Sequence, residues 1–220
     1  MNSKKLVESF SRLASFQGDS LTEQIRKMEV QLATNGIESA KLCCADIKLA
    51  DVMAAAVSIK RLAGQINVVI HSAGIVLSLP EILEKNEVVE YLSLGAGNTG
   101  KAFDLETNLQ IGEFKFIDWQ GGSETIRQNS LFKAFYQLAE YPKSKRKFLY
   151  VVDDKHPLKF LTGKRSIASV FSRHEKLRRE LHDKYGKRFV TVNDYFEYQK
   201  KTVSIVALNK VVPALAGSLL

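Results

Sequence analysis

The sequence has few cysteines, the residues that stabilise small disulfide-rich or zinc-binding folds. Its only two cysteines, Cys43 and Cys44, are adjacent, so they cannot form a disulfide framework or supply a cysteine zinc site. Secreted disulfide-rich proteins are therefore excluded, and we expect buried, reduced thiols in a cytoplasmic protein. Proline and glycine form no long linker, and no internal repeat or low-complexity tract occurs, which disfavours a chain of several domains.

Long apolar runs are also missing. The most apolar stretch, Val68–Leu79, is interrupted by His71, Ser72, Gly74 and Ser78. We therefore predict no membrane-spanning segment and no membrane partner, because a span needs about 20 consecutive apolar residues. The initial residues, MNSKKLVESF, lack the apolar core of a secretory signal, so none is expected.

The chain does contain enough apolar residues for one core, together with an excess of positive charge. Of its 220 residues, 45% are hydrophobic and 25% are charged, which is typical of a globular protein, and we predict a single domain over residues 1–220. The net charge of +8 favours a polyanionic partner. We expect that partner to be nucleic acid, and we leave open a homodimer.

The spacing of apolar residues predicts an α/β protein in three sections. Residues 1–65 form a helical section, because apolar residues recur every three or four positions. Residues 66–153 follow the order helix, three strands, helix, strand, and residues 154–220 add a basic extension with a helix over Ser166–Tyr185. The predicted N-terminal helices are Leu6–Phe16, Leu21–Leu32, Leu49–Leu62 and Val68–Leu83. The predicted strands are Glu87–Leu94, Lys101–Thr107, Gln110–Trp119, Lys147–Val152 and Thr202–Leu208.

The segment GAGNTGKA, which starts at Gly95, has the glycine and lysine spacing of a nucleotide-binding P-loop. Ala102 stands where that motif needs a serine or threonine for the metal. A P-loop also needs a helix behind it, because the helix N-terminus helps to hold the phosphates, whereas a strand pattern follows here. An NTP-binding protein that uses Gly95–Lys101 is therefore a minor alternative, favoured only if a helix follows Lys101.

Two carboxylates and a lysine surround the next turn. A turn at Asn108 folds the second predicted strand against the third. Asp104 and Glu113 each lie a few residues from this turn, so their carboxylates can lie side by side and share a divalent metal. Side chains alternate along a strand, so Glu113 and Lys115 emerge on the same face, about 6.6 Å apart. A lysine there can orient an attacking water or stabilise charge on a phosphoryl group.

Asp104, the triplet Glu113-Phe114-Lys115 and the element order together resemble the PD-(D/E)xK superfamily, the restriction-endonuclease-like nucleases. The resemblance covers only about Pro80–Asp153, and Phe103 stands where the family has a proline. It implies a restriction-endonuclease-like core with extra helices at both ends, and Mg²⁺- or Mn²⁺-dependent hydrolysis of phosphodiester bonds in DNA. By the same resemblance, Asp104, Glu113 and the Phe114 carbonyl bind the metal, and Lys115 assists the attacking water.

Many members of that family carry a further glutamine on the helix after the third strand. At about 100° per residue, Gln128 falls on the face of Leu131 and Phe135, which packs on the sheet, so we assign Gln128 as the supporting catalytic residue. A purely structural role for this buried glutamine is the alternative. Gln137 points towards solvent, although its segment QLAEY resembles a motif of exonuclease-type members. Some members also use an acidic residue of the first helix, for which three candidates stay open: Glu81, Glu84 and Glu90.

Basic side chains outside the hairpin are candidates for contacts with nucleic acid. We predict phosphate contacts for Lys101, Arg127, Arg173, Lys176 and Arg179. A solvated helix face is the alternative for Arg127. It is also the alternative for the last three, because acidic residues alternate with them. We expect His71 to be a buried core histidine. The main alternative to a nuclease is a non-catalytic nucleic-acid-binding module on the same fold.

Overall fold

The computed structural model describes residues 3–30, 32, 41, 48–95, 102–116, 119, 124–142 and 144–216 of the chain. The labelled helices are α1 (Ser3–Gln17), α2 (Leu49–Ile82), α3 (Thr125–Glu140), α4 (Lys155–Leu161), α5 (Ile167–Val170), α6 (Glu175–Tyr185), α7 (Val192–Gln199) and α8 (Leu208–Val211). Residues 21–30 are also helical, and a 3₁₀ turn covers Pro213–Leu215. The strands are β1 (Val89–Leu92), β2 (Leu105–Thr107), β3 (Gln110–Lys115), β4 (Arg146–Val151) and β5 (Val203–Ala207).

The five strands form one mixed sheet in the order β1-β2-β3-β4-β5. The first three strands are antiparallel neighbours, whereas β3 and β4 are parallel, as are β4 and β5. Because two parallel strands need a crossover, α3 connects β3 to β4. The predicted α/β class and the order helix, three strands, helix, strand are confirmed over the described residues.

Apolar side chains of the strands alternate between two clusters, one on each face of the sheet. The larger cluster lies on the side of α3 and includes Ile111, Leu149, Phe132, Phe135 and Tyr195. The smaller cluster lies on the side of α2 and includes Phe114, Tyr150, Ile75, Leu208 and Val212. Strand β3 contributes to both clusters, which confirms the predicted alternation along it.

The chain divides into two compact units, residues 1–67 and 68–220. In the first unit, Ser9 and Ala55 are buried, and Arg12 forms an ion pair with Asp51 at 2.7 Å. The second unit contains the whole sheet and every residue of the candidate site described below. The single domain over residues 1–220 stays a prediction.

Helix α2 is longer than predicted. The prediction of separate helices over Leu49–Leu62 and Val68–Leu83 is wrong, because the intervening residues contain no proline and a lone glycine costs a helix only about 1 kcal/mol. By length and composition, α2 could cross a membrane, since 18 of its residues reach a mean hydropathy of 1.6. Its second half packs on the sheet through Ile75 and Ser78, both fully buried. The absence of a membrane partner and the cytoplasmic location stay predictions.

The basic helix predicted over Ser166–Tyr185 is broken into α5 and α6, so that prediction is wrong. Phe171 ends α5 and is fully buried against Phe132, with ring centroids 5.2 Å apart. Leu181 is the buried residue of α6. At about 100° per residue, one straight helix would turn Leu181 about 80° away from Phe171, so the break lets both side chains reach the same core.

Gly74 lets α2 pack closely against the ring of Phe116, the residue that follows β3. A Cβ at this position would overlap the ring of Phe116, whereas a Cβ at Gly64 on the same helix would meet nothing within 4 Å. We expect Gly74→Ala to lower the free energy of unfolding by about 1–3 kcal/mol, because the extra methyl overpacks the contact. Gly64→Ala is the matched control and should raise helix stability by up to about 1 kcal/mol. Urea unfolding followed by far-UV circular dichroism measures both, and equal stability of the two variants would contradict the close packing.

Candidate active site

Asp104 and the end of β3 are joined by a direct hydrogen bond. The antiparallel register pairs Leu105 with Gly112, so one further step along both chains places Asp104 opposite Glu113. The backbone N–H of Phe114 donates to Asp104 Oδ2 at 2.9 Å. The carboxylate of Asp104 therefore takes the place of a strand carbonyl at the point where β2 begins and β3 ends.

Glu113 and Lys115 meet on the face of the sheet that alternation predicts for them. Lys115 Nζ lies 2.5 Å from Glu113 Oε1, and the two side chains expose 19% and 15% of their surface. Burial raises the pKa of the Glu113 carboxyl above its ordinary value; the Lys115 ammonium opposes this, and the charge of Asp104 adds to it. Asp104 and Glu113 stand opposite each other in the strand register, so their negative charges repel.

His71 is a member of this cluster that we expected only as a core residue. It lies on α2 on the same side as Ile75 and Ser78, and its ring packs edge-on against Phe116 with centroids 6.0 Å apart. Its Nε2 lies 3.4 Å from Asp104 Oδ1. The imidazole thus holds one carboxylate oxygen of Asp104 while the Phe114 N–H holds the other. Its position inside an apolar run was the only sequence signal, and that signal does not identify a partner.

The donor set fits a magnesium-like ion bound through few protein ligands. Mg²⁺ prefers carboxylate oxygens, keeps several waters and needs only one or two carboxylates. In the parts of the chain that the structure describes, no three or more His, Cys, Asp or Glu side chains are grouped to hold a metal, so such an ion would rely on Asp104, Glu113, backbone and water. Two partly buried carboxylates that repel each other are stabilised by a cation between them, which is the chemistry of this pair.

The predicted supporting glutamine makes a different contact. Gln128 is only half-buried, and its side-chain oxygen accepts a hydrogen bond from Arg165 Nη1, in the segment between α4 and α5. Arg165 was missed because nothing in the local sequence pairs it with α3. Gln137 lies beside His174 and Lys176 on the wall of a groove of about 450 Å³ between α3 and α6. The catalytic role of Gln128 stays a prediction.

Among the described residues, no contact joins the basic side chains that we predicted to bind nucleic acid. Arg127 forms an ion pair with Glu124 at 2.6 Å, and Arg179 forms one with Glu175 at 2.9 Å. Lys176 is 3.9 Å from Glu180, and Arg173 is exposed in the turn between α5 and α6. Lys101 lies outside the described residues. The acidic partners on α6 are those expected of a solvated helix face.

The remaining candidates separate from the site. Glu84 is paired with Arg146 at 2.5 Å and Glu90 with Lys145 at 2.6 Å, near the opposite end of β3, while Glu81 is exposed. Of the glycine-rich loop, residues 96–101 lie outside the described part of the chain. Residues 102–107, which follow it, contain no helix and lead into β2. The condition for an NTP-binding P-loop is therefore not met in those residues.

Comparisons with known proteins found no relative, because no family model, no curated protein and no solved structure matches the chain. The site geometry therefore has to support any function by itself.

Proposed function

We propose that the chain is a metal-dependent nuclease that hydrolyses phosphodiester bonds in DNA, with a restriction-endonuclease-like core built from α2, β1 to β4 and α3. The observation that carries the proposal is the convergence of Asp104, Glu113 and Lys115, each only partly exposed, where β2 begins and β3 ends. The net charge of +8 supports a polyanionic substrate. The order helix, three strands, helix, strand is the one that the resemblance implies and supports the proposal.

In this proposal, Asp104 and Glu113 hold Mg²⁺ or Mn²⁺, with the Phe114 carbonyl as a further ligand. When bound, the metal polarises the phosphodiester and lowers the pKa of a coordinated water. Asp104 is already oriented for this role, because the Phe114 N–H and His71 fix its two oxygens. Fixed carboxylates lose little rotamer freedom when they bind an ion, which favours binding.

Lys115 places a positive charge beside the same carboxylates. Its ammonium lies 2.5 Å from Glu113, and it can turn to a phosphate oxygen or to the attacking water. His71 acts as a positioning residue through Asp104. Gln128 pairs with Arg165 at α3, and its supporting role stays a prediction.

A cleavage assay with linear, circular and branched DNA in Mg²⁺ or Mn²⁺ tests the proposal. We expect cleavage that EDTA abolishes. We also expect Asp104→Asn to lower its rate about 100-fold or more, because the metal loses one of two carboxylates. Asp183→Asn is the matched control, since Asp183 is 81% exposed on α6, and it should cleave at the wild-type rate. Metal-independent cleavage, or full activity of Asp104→Asn, would rule out the proposed site.

One observation favours the second candidate, a non-catalytic nucleic-acid-binding module. Both carboxylates already have partners within the protein, Lys115 for Glu113 and His71 for Asp104, so the cluster is satisfied without a metal. Calorimetric titration with Mn²⁺ separates the two functions. Binding of DNA without binding of Mn²⁺ and without cleavage supports the module.

A further inference from the structure

The surface next to Lys115 is aromatic, and the proposed hydrolysis does not use it. A small cavity of about 30 Å³ lies between Lys115, Trp119, Asp153 and His156. It borders the ends of β3 and β4, where Lys115 pairs in register with Val151. Ligands of open α/β sheets bind outside the carboxyl ends of parallel strands, so this edge is where substrate meets the sheet.

Three rings form what we term the Trp119 shelf: Trp119, His156 and Phe160. The Trp119 and His156 rings are nearly parallel, at 20° with centroids 6.4 Å apart. Phe160, which is 7% exposed, supports the indole from the core side at 6.1 Å. Trp119 itself is only partly buried. The indole ring of the shelf is therefore supported by Phe160 and stays partly exposed, and it lies beside the lysine of the candidate site.

The cavity wall beside the shelf is fixed by hydrogen bonds. Asp153 accepts a hydrogen bond from the Lys155 N–H at 2.8 Å and one from Asn209 Nδ2 at 3.0 Å. A cavity of about 30 Å³ holds one or two waters, so a planar ligand has to lie on the outer part of the shelf.

Positive charge lies on the helix that carries His156. Lys155 and Lys159 are exposed and stand one turn apart on α4. Single-stranded nucleic acid is bound by this combination, in which bases stack on aromatic rings and cations follow the backbone. Bases inside a duplex are covered on both faces by their neighbours and cannot stack on a protein ring without being unstacked.

We propose that the Trp119 shelf binds an unpaired base, so that the substrate of the site is single-stranded DNA or a DNA end with unpaired nucleotides. This inference rests on the proposed nuclease function and specifies its substrate. The base stacks on Trp119, the backbone runs along Lys155 and Lys159, and the adjoining phosphodiester lies at Lys115.

The single tryptophan of the chain makes a direct test possible. Trp119 fluorescence is titrated with an oligothymidylate and with a blunt hairpin duplex of the same charge, in EDTA so that no hydrolysis occurs. We expect the single strand to quench the fluorescence and to bind at least tenfold more tightly than the duplex. Inorganic polyphosphate, which has charge but no base, should leave the fluorescence unchanged. Equal affinity for both DNA forms, or quenching by polyphosphate, would overturn the proposal.

Variants separate stacking from charge, with binding measured by the anisotropy of labelled DNA. Trp119→Ala should weaken single-strand binding about tenfold or more, since a stacked base contributes that much, and Trp119→Phe should restore most of it. Lys155→Ala should weaken single-strand and duplex binding by similar factors. If Trp119→Ala has wild-type thermal stability and binds the single strand as tightly as the wild type, the shelf does not bind a base.

The same data distinguish failure of this inference from failure of the proposed function. Metal-dependent cleavage without quenching by single strands leaves the nuclease in place and overturns the Trp119 shelf. Quenching by single strands with no cleavage in any metal supports the shelf and overturns the hydrolysis.

Discussion

Lys115→Met should lower the rate of phosphodiester hydrolysis about 100-fold or more and leave the fold intact. Lys115 is the cation paired with Glu113, with Nζ 2.5 Å from Oε1, and charge stabilisation at the reacting phosphate contributes several kcal/mol in enzymes of this chemistry. The side chain is 19% exposed, and methionine preserves most of its volume. Single-turnover cleavage at saturating Mn²⁺ measures the effect on the chemical step.

The Lys115→Met variant is compared with a control lysine variant, and its Mn²⁺ binding is measured as a function of pH. Lys201→Ala removes an exposed lysine after α7 and should cleave at the wild-type rate. The Lys115 ammonium lowers the pKa of Glu113, so its loss should raise that pKa further and weaken Mn²⁺ binding most at acidic pH. Raising the pH should therefore restore metal binding in Lys115→Met but not its rate. More than half of the wild-type activity in this variant would refute the role of Lys115.

Glu140→Ala should lower the free energy of unfolding by about 3 kcal/mol without touching the candidate site. Glu140 is 15% exposed at the end of α3, and it accepts hydrogen bonds from Lys184 at 2.6 Å, Tyr185 at 2.9 Å and Tyr195 at 2.5 Å. Tyr195 is fully buried, so its hydroxyl would lose its partner in a place that excludes water. Urea unfolding measures the loss.

An exposed glutamate provides the matched control for Glu140. Glu197 is 47% exposed and pairs with Lys200 one turn away, so Glu197→Ala should change stability by less than about 0.5 kcal/mol. If both variants unfold at the same urea concentration, the hydrogen bonds of Glu140 contribute nothing measurable to stability.

The destabilisation by Glu140→Ala should depend on pH in a defined direction. Burial acts to raise the pKa of Glu140, but the hydrogen bonds from Lys184, Tyr195 and Tyr185 outweigh burial, and the folded-state pKa lies below its ordinary value. A carboxyl with a depressed pKa stabilises the fold above its unfolded pKa of about 4.3 and loses that contribution as the pH falls through the folded value. The difference between wild type and Glu140→Ala should therefore be full at neutral pH and shrink below about pH 4.

Patterns that repeat along a few residues predicted much of the fold. The alternation in β3 placed Glu113 and Lys115 on one face and Phe114 on the other, and the turn before β3 brought Asp104 to the same end. A strand after Lys101, rather than a helix, was also visible from local spacing and is confirmed by β2. These features depend on side-chain period and turn chemistry, which are properties of neighbouring residues.

Other features depended on partners far away in the chain. The predicted helix Ser166–Tyr185 failed because Phe171 and Leu181 must both reach the core below α3, a demand that its own periodicity does not contain. Gln128 is half-buried on α3, and its hydrogen bond to Arg165 comes from a distant loop. Trp119 contacts His156 and Phe160 because β3 and β4 are neighbours in the sheet, and the local sequence does not specify that pairing.

The sequence by itself determined the α/β class, the order of elements and the chemical core of the candidate site, because strand alternation and a short turn are enough to join Asp104, Glu113 and Lys115. Only the tertiary structure decided that α5 and α6 are separate helices, that His71 lies 3.4 Å from Asp104, and that an aromatic shelf adjoins Lys115. The physical reason is the separation along the chain over which each property acts. Periodicity specifies which face of an element is apolar, whereas the packing of those faces selects which distant polar groups come into contact.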